Sequence, residues 1–196
     1  MIKTKILAAL LLGISVFVSS CAVDSVVVKP GYDFQRIRRV AVLEFRDSAY
    51  YPNSGSMVSQ LFVKYLLKAG YDVVEREELQ SILREHQLSV EGVLNRSQVK
   101  EFGKLSGVDA FIAGTIPMVI PDRELYENGN IRYIAAQVGV TCRMIDVETG
   151  EVLWAGSDTY DAMNTQTAFE YLVSSIVRQF VKDLNTASQK PRTGGL

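Results

Sequence analysis

Residues 38–45 read RRVAVLEF, and this stretch decides the fold. Its centre is almost continuously apolar, which is typical of a strand buried on both faces of a sheet. Residues 108–116 read VDAFIAGTI and have the same character. The two runs predict central strands of a sheet that is covered by helices.

Helical spacing appears in the segments around these strands. Apolar residues repeat with that spacing from Val58 to Leu66, and Gly70 is placed to end the helix. A charged helix is predicted for residues 77–87. A further helix is predicted from Ser97 as the cap to Gly107 as the end. The last helix has the broadest apolar stripe: Phe169, Leu172, Val173, Ile176, Val177, Phe180, Val181 and Leu184.

The remaining strands complete the sheet. Residues 71–75 form a short strand, and residues 134–144 alternate strictly between apolar and polar side chains. A tight turn at residues 148–151 joins this strand to residues 152–156, so the two form a hairpin. Residues 117–130 are predicted as a loop or hairpin tip with a turn at 128–129. The order predicts a single α/β domain, an α/β/α sandwich with a mixed sheet.

The N-terminal segment reads as an export signal. Met1–Lys5 is positively charged, and the apolar run at residues 6–18 is too short to span a bilayer as a helix. It ends in Val-Ser-Ser-Cys at residues 18–21, which resembles the lipobox of bacterial lipoproteins. The resemblance implies that residues 1–20 are a removed signal peptide and that Cys21 carries the lipid. The alternative is an ordinary secretory signal that contains a cysteine.

The predicted anchor determines the expected location and domain boundaries. In bacteria with two membranes, an aspartate after the lipidated cysteine retains a lipoprotein at the inner membrane, and here that residue is Ala22. We therefore expect the outer membrane, with the protein facing the periplasm. Residues 21–35 are predicted as a lipidated tether, residues 36–187 as the domain and residues 188–196 as a flexible tail.

Charge and cysteine content indicate what this chain is not expected to bind or react with. The formal net charge is −1, and removal of Lys3 and Lys5 with the signal lowers it to −3. Because no basic block is present, we expect no nucleic-acid partner. Cys142 is the one cysteine left beside Cys21 and lies in an apolar strand pattern. We expect it to be a small buried core residue, not a reactive thiol.

The sequence offers no convincing catalytic centre. His86 is the single histidine, and there is no zinc spacing, Ser/His/Asp set or phosphate-loop motif. We therefore predict no catalytic residues, no metal ligands and no cofactor. Glu44 and Asp47 are close together but are expected to be solvated, as are the glutamates at residues 75–78. The run at 54–56 is a helix cap in the simpler interpretation, with an anion or nucleotide site as the alternative.

Four motifs together resemble the CsgG family of curli secretion lipoproteins. They are RVAVLEF at residues 39–45, GYDVVER at 70–76, GVDAFIAGT at 107–115 and DVETGEVLWA at 146–155. The resemblance implies an α/β/α domain on the periplasmic face of the outer membrane. It also implies association with envelope proteins and ring formation by identical copies. Relatives include a curli pore subunit, holdfast-anchoring proteins and the LpoB-type activators of peptidoglycan synthases.

The chain departs from these relatives in two respects. A membrane-spanning strand needs about ten residues of alternation, whereas the candidate at residues 115–138 contains Pro117, Pro121 and then charged residues. The tether is also short for an activator that reaches across the cell wall. We expect a non-enzymatic assembly or accessory factor in envelope secretion or surface-structure biogenesis, without membrane-spanning hairpins of its own. The alternatives are a regulator of peptidoglycan synthases and a domain that binds a small ligand or nucleotide.

Loop tyrosines are the candidates for a contact surface. Tyr50, Tyr51, Tyr126 and Tyr133 lie in or beside predicted loops. Aromatic residues are enriched at protein interfaces, so these four could contact a partner. They could equally pack over the edge of the core.

Overall fold

The computed structural model describes residues 26–74, 79, 81 and 96–189. In chain order its elements are β1 (Val26–Val28), a 3₁₀ turn (Phe34–Arg36), β2 (Arg39–Val42), α1 (Ser54–Lys68), β3 (Asp72–Val74), α2 (Arg96–Ser106), β4 (Ala110–Ile120), β5 (Arg123–Glu127), β6 (Asn130–Ile134), β7 (Ala136–Asp146), β8 (Val152–Ala162) and α3 (Thr165–Gln189). From β2 onward the described elements follow the predicted order of strands and helices, and β1 is an additional strand.

Six strands form one mixed sheet in the order β1-β8-β7-β4-β2-β3. β2 pairs in parallel with both β3 and β4, while β7 lies antiparallel to β4 and β8. The parallel half therefore comes from crossover connections, and the other half is a meander. This confirms the predicted mixed sheet.

Helices cover the sheet on both faces and form two hydrophobic clusters. α1 and α3 pack on one face, where Val58, Phe62, Phe169 and Leu172 are buried against the strands. On the other face Val99 of α2 and Leu79 join a smaller cluster around Phe111. Seven buried residues of the larger cluster come from the apolar stripe that predicted α3, and the helices on both faces confirm the α/β/α sandwich.

Two strands are longer than the sequence predicts. β4 continues past Pro117 to Ile120, so the predicted loop at 117–130 is wrong over its first residues. The strand accommodates the proline because its pairing with β7 shifts register between Thr115 and Met118, where no ladder hydrogen bond is required. β8 likewise runs beyond Gly156 to Ala162.

The first described residues are part of the sheet. Val26–Val28 pairs with β8, and the Lys29 amide donates to the Leu153 carbonyl at 2.8 Å. The segment predicted as a tether at 21–35 is thus folded from Val26 onward. At the other end of the chain α3 continues to Gln189, past the predicted boundary at 187. The signal peptide, most of the helix predicted at 77–87 and residues 190–196 lie outside the described residues.

The strand directions define two ends of the molecule. β8 runs toward one end and β7 starts there. β4 runs toward the same end, and the β5–β6 hairpin follows it. We call this the hairpin end, and the opposite end, where the β7–β8 turn lies, the turn end. β1 is antiparallel to β8, so Val26 is the residue of β1 nearest the hairpin end. Within the part of the chain that is described, no helix has both the length and the apolarity to cross a membrane.

Candidate interaction surface

Exposed apolar side chains are concentrated at the hairpin end. Thirteen large hydrophobic residues among those described are exposed, and nine of them lie on the hairpin, on the strand ends beside it or on the neighbouring loop and helix starts. The nine are Tyr50, Ile120, Leu125, Tyr126, Ile131, Tyr133, Tyr160, Met163 and Tyr171. Single exposed apolar residues are normal on a protein, whereas a concentration at one end indicates a contact surface.

The β5–β6 hairpin is the most exposed part of this surface. Its strands pair over five residues each, from Arg123 opposite Ile134 to Glu127 opposite Asn130. Asn128 and Gly129 connect them with φ values of 52° and 79°. Two central residues with positive φ make the tight turn that matches the twist of a hairpin, so the turn predicted at these residues is confirmed.

One face of the hairpin carries three large apolar side chains. Tyr126 lies opposite Ile131, and Tyr133 lies opposite Glu124, which places these four residues on the same face. Tyr126 is 79% exposed, Tyr133 67% and Ile131 54%. The other face carries Leu125 and more charged residues. The face with Tyr126, Ile131 and Tyr133 therefore presents aromatic and aliphatic surface, and no described element covers it.

The four tyrosines singled out in the sequence separate into two groups. The ring of Tyr51 lies 6.4 Å from that of Phe169 and packs over the edge of the core. Tyr50, Tyr126 and Tyr133 are exposed. The contact-surface interpretation therefore fits three of the four, and the core-edge interpretation fits Tyr51.

A second group of exposed residues escaped the sequence analysis. Tyr160 at the end of β8 stacks on Tyr171 of α3, with ring centroids 5.6 Å apart. Met163, between these elements, is 75% exposed. Tyr160 lies in a strand extension rich in polar residues, where no apolar alternation marks it. Tyr171 lies outside the apolar stripe of α3, and an aromatic residue at such a position is the one sequence feature that indicates its exposure.

Asp122 fastens the base of the hairpin to α3. Its Oδ1 accepts hydrogen bonds from the Thr165 amide at 2.8 Å and from the Thr165 hydroxyl at 2.7 Å. These bonds, the one from the hydroxyl first, lower the pKa of Asp122. Asn164 also accepts a bond from the Thr167 amide at 2.8 Å, so the start of α3 is capped twice. The position of the hairpin base relative to the helix layer is thereby held by directional bonds.

The start of α1 is occupied by a side chain of the protein itself. Asp47 accepts from the amides of Gly55 at 2.6 Å and Asn53 at 3.0 Å, while Ser54 Oγ accepts from the Ser48 amide. A Cβ at Gly55 would lie 1.8 Å from the Phe45 carbonyl oxygen, so this close turn requires glycine. Because a carboxylate already fills the place of an anion, the geometry supports the helix-cap interpretation of residues 54–56 over the nucleotide site. Asp47 is exposed, as predicted, and it also caps the start of α1.

The turn end holds a cluster of internal polar contacts. Asp146 is buried and accepts hydrogen bonds from the Tyr32 hydroxyl and from the Thr149 amide at 2.7 Å. Burial favours a higher pKa for Asp146, but the bonds from Tyr32 and Thr149 outweigh it and hold the pKa below its usual value. Burial and the bond to Asp146 raise the pKa of Tyr32. Arg36 pairs with Glu148 at 2.6 Å beside this cluster.

Cys142 is buried in β7. Burial raises the pKa of the Cys142 thiol to about 12, as expected for a core residue. Over the described ranges, no group of three or more His, Cys, Asp or Glu side chains could hold a metal ion. Cys21, His86 and the glutamates at 75–78 lie outside those ranges, so their predicted roles stay predictions.

Known proteins share this fold. A dodecameric single-substitution variant of PelC from Paraburkholderia phytofirmans matches with a TM-score of 0.53 and 17% identity, over 78% of this chain and 95% of that one. The lipoprotein GNA1162 from Neisseria meningitidis matches with a TM-score of 0.51 and 19% identity, over 74% of this chain and 99% of that one. The hypothetical protein CT253 from Chlamydia trachomatis matches with a TM-score of 0.51 and 11% identity, over 76% and 99%. No curated protein sequence matches the chain.

Residues 26–119 match the family model described as "Curli production assembly/transport component CsgG". The matched region begins with β1 and ends in β4, so it includes the parallel half of the sheet and helices on both of its faces. Three of the four sequence motifs lie within it. This match confirms the resemblance to the CsgG family that the motifs predicted.

Proposed function

We propose that this protein is a lipid-anchored, non-enzymatic assembly or accessory factor of the bacterial cell envelope. The match of residues 26–119 to the CsgG family carries the proposal, since the family description names an assembly and transport component. In this proposal Cys21 bears the lipid, and the protein faces the periplasm from the outer membrane. Because β1 begins at Val26, only residues 22–25 separate the proposed anchor from the sheet.

The dimensions of the hairpin support an accessory role over a pore. A strand that crosses a bilayer needs about 9–11 residues, and each strand of the β5–β6 hairpin has five. Arg123, Glu124, Glu127 and Arg132 also place charge on both of its strands. We therefore propose that the protein works at the membrane without conducting through it. Ionic conductance across planar bilayers that contain the purified lipoprotein would contradict this.

Self-association is part of the proposal. The fold is shared with PelC, which was solved as a dodecamer, and ring formation is what the family resemblance implies. We expect the soluble form without the lipidated cysteine, residues 22–196, to form oligomers at high concentration. Light scattering after size exclusion measures the mass, and a strictly monomeric protein at every concentration would remove the ring from the proposal.

The anchor is tested in cells. In cells that express the full-length protein and grow with labelled palmitate, the protein should incorporate the label and fractionate with the outer membrane. The matched control is Cys21→Ser, which should lose both the label and the membrane association. Failure of the wild-type chain to take up palmitate, or its retention in the cytosol, would overturn the proposed location.

A further inference from the structure

The path of the chain relates the proposed anchor to the exposed apolar surface. β1 is antiparallel to β8, with Val26 opposite Gly156 and Val28 opposite Trp154. Beyond Gly156, β8 continues toward the hairpin end as far as Ala162. Traced backwards from Val28 to Val26, β1 therefore points toward the hairpin end, which is also where nine of the thirteen exposed large apolar residues lie.

The distance from Cys21 to Val26 is short. Five residue steps span at most about 18 Å when extended. The six steps of β8 from Gly156 to Ala162 span about 20 Å. The greatest reach of the chain from Val26 to Cys21 is therefore about as long as the part of β8 that lies beyond Gly156. With Cys21 lipidated as proposed, Val26 would stay within about 18 Å of the bilayer, and Val26 is the residue of β1 nearest the hairpin end.

The hairpin has the chemistry of an interfacial segment. Tyrosine has an apolar ring and a polar hydroxyl, and it is enriched where a membrane meets water. Arg123 and Arg132 balance Glu124 and Glu127, so the strands carry no net charge. Arg132 lies 3.3 Å from Glu127, which pairs two of these charges on the face opposite Tyr126. Such a segment contacts lipid through its apolar side chains, without needing anionic headgroups.

We propose that the hairpin end rests on the lipid surface that holds Cys21, with Tyr126, Ile131 and Tyr133 in the headgroup region. This rests on the proposed lipidation of Cys21. Large apolar residues occur on both faces of the projecting hairpin, since Leu125 is exposed opposite the Tyr126 face. The proposed anchor lies only five residues before Val26, at the end of β1 that is nearest the hairpin end, so the membrane that holds it is within reach of this surface. The lipid surface is therefore the occupant that the geometry favours.

Tryptophan probes in the lipidated full-length chain test this contact. Tyr126→Trp and, in a second variant, Tyr133→Trp report from the hairpin, and Val152→Trp is the matched control at an exposed position of the turn end. The single native tryptophan, Trp154, is buried against Phe180 and gives the baseline measured on the wild-type chain. Each variant is reconstituted into phosphatidylcholine vesicles with or without bromine on the acyl chains, because bromine quenches tryptophan on contact.

We expect bromolipid to reduce emission from the two hairpin probes and to leave the Val152→Trp probe at its bromine-free level. The loss should persist at high salt, because no net charge is involved. Equal quenching at both ends, or none at the hairpin, would overturn the inference. A hairpin probe shielded from both bromolipid and aqueous acrylamide would show that a second protein copy covers it, which also overturns it.

Flotation of the same vesicles separates this inference from the proposed anchor. Protein that floats while its hairpin probes are unquenched retains the anchor and refutes only the membrane contact. Protein that does not float at all refutes the lipidation of Cys21, and the inference falls with it.

Discussion

The two ends of the sheet differ in whether the fold itself contacts their side chains. At the turn end Asp146 is buried, and Tyr32 and Thr149 complete its hydrogen bonds. At the hairpin end Tyr126 and Ile131 are exposed with no described element over them. Polar contacts fasten the chain where the fold must close on itself. At the hairpin end the apolar surface is left for contact with another molecule or a membrane. We therefore expect substitutions at the turn end to affect stability and substitutions at the hairpin end to affect binding.

The largest effect should come from the core that joins the two ends. Phe169 of α3 is fully buried, and Phe169→Ala removes a ring from the larger hydrophobic cluster. We expect the free energy of unfolding to fall by about 3–5 kcal/mol. The matched control is Tyr126→Ala, which truncates an exposed ring and should cost less than about 0.5 kcal/mol. Chemical denaturation measures both, and equal losses would erase the contrast between core and hairpin.

A glycine of β4 should give the next largest effect. A Cβ at Gly114 would lie 2.3 Å from both the Phe45 ring and the Thr141 carbonyl oxygen. Because that oxygen belongs to the paired strand, Gly114→Ala should destabilise the fold by about 3 kcal/mol. At Gly139 on β7 the nearest atom would be 3.4 Å away, so Gly139→Ala is the matched control. If both variants unfold at the same denaturant concentration, the packing between β4 and Phe45 is looser than described.

Removal of the charge of Asp146 at the turn end should lower the free energy of unfolding. Asp146→Asn weakens the bonds from Tyr32 and Thr149, and we expect a loss of about 2 kcal/mol at neutral pH. Glu148→Gln is the control, because its pair with Arg36 is exposed and should contribute under about 1 kcal/mol. Thermal or chemical unfolding at pH 7 compares the two variants.

The same variant makes a prediction about pH. The pKa of Asp146 is lowered in the folded state, so its contribution is present above the unfolded value of about 3.9. That contribution is lost as the pH falls through the lower folded value. Wild-type protein should therefore lose more stability on acidification than Asp146→Asn. Parallel pH profiles for the two proteins would show that the carboxylate is not held as described.

The smallest and most local effect should come from the hairpin turn. Gly129 has a φ of 79°, and Gly129→Ala introduces strain of about 1 kcal/mol there. Since the hairpin adds little buried surface, we expect the strain to open β5 and β6 locally without changing global unfolding. Hydrogen exchange should become faster in residues 123–134 and stay unchanged in β7 and β8. Faster exchange throughout the sheet would mean that the hairpin is part of the cooperative core.

The sequence predicts a helix or strand where a pattern of apolar side chains repeats along that element. The stripe on α3 and the alternation in β7 predict their helix and strand because each pattern spans many residues. Val26–Val28 is too short to show a pattern, so the edge strand β1 escaped the sequence analysis. The extension of β8 is polar, including Asp158 and Asp161, as suits a strand with an exposed edge.

Contacts between residues that are far apart in the sequence could not be predicted from it. Tyr32 and Asp146 are 114 positions apart, and no local pattern announces their hydrogen bond. Asp47 was recognised as polar, but its role as the cap of α1 depends on how the preceding loop folds back. Of the contact surface, the loop tyrosines were identifiable by residue type. Met163 and Tyr160 join them only because β8 and α3 meet beside the hairpin.

The position of β1 also has a mechanical consequence. A force on the N-terminus directed toward the hairpin end acts along this strand, so its bonds to β8 share the load together and do not break one after another. Lys29, paired with Glu151, and Tyr32 follow directly and reinforce the same attachment. Pulling a single molecule from its first residues should therefore produce one abrupt rupture of the edge strand, and a gradual peel would show that these bonds carry the tension in sequence.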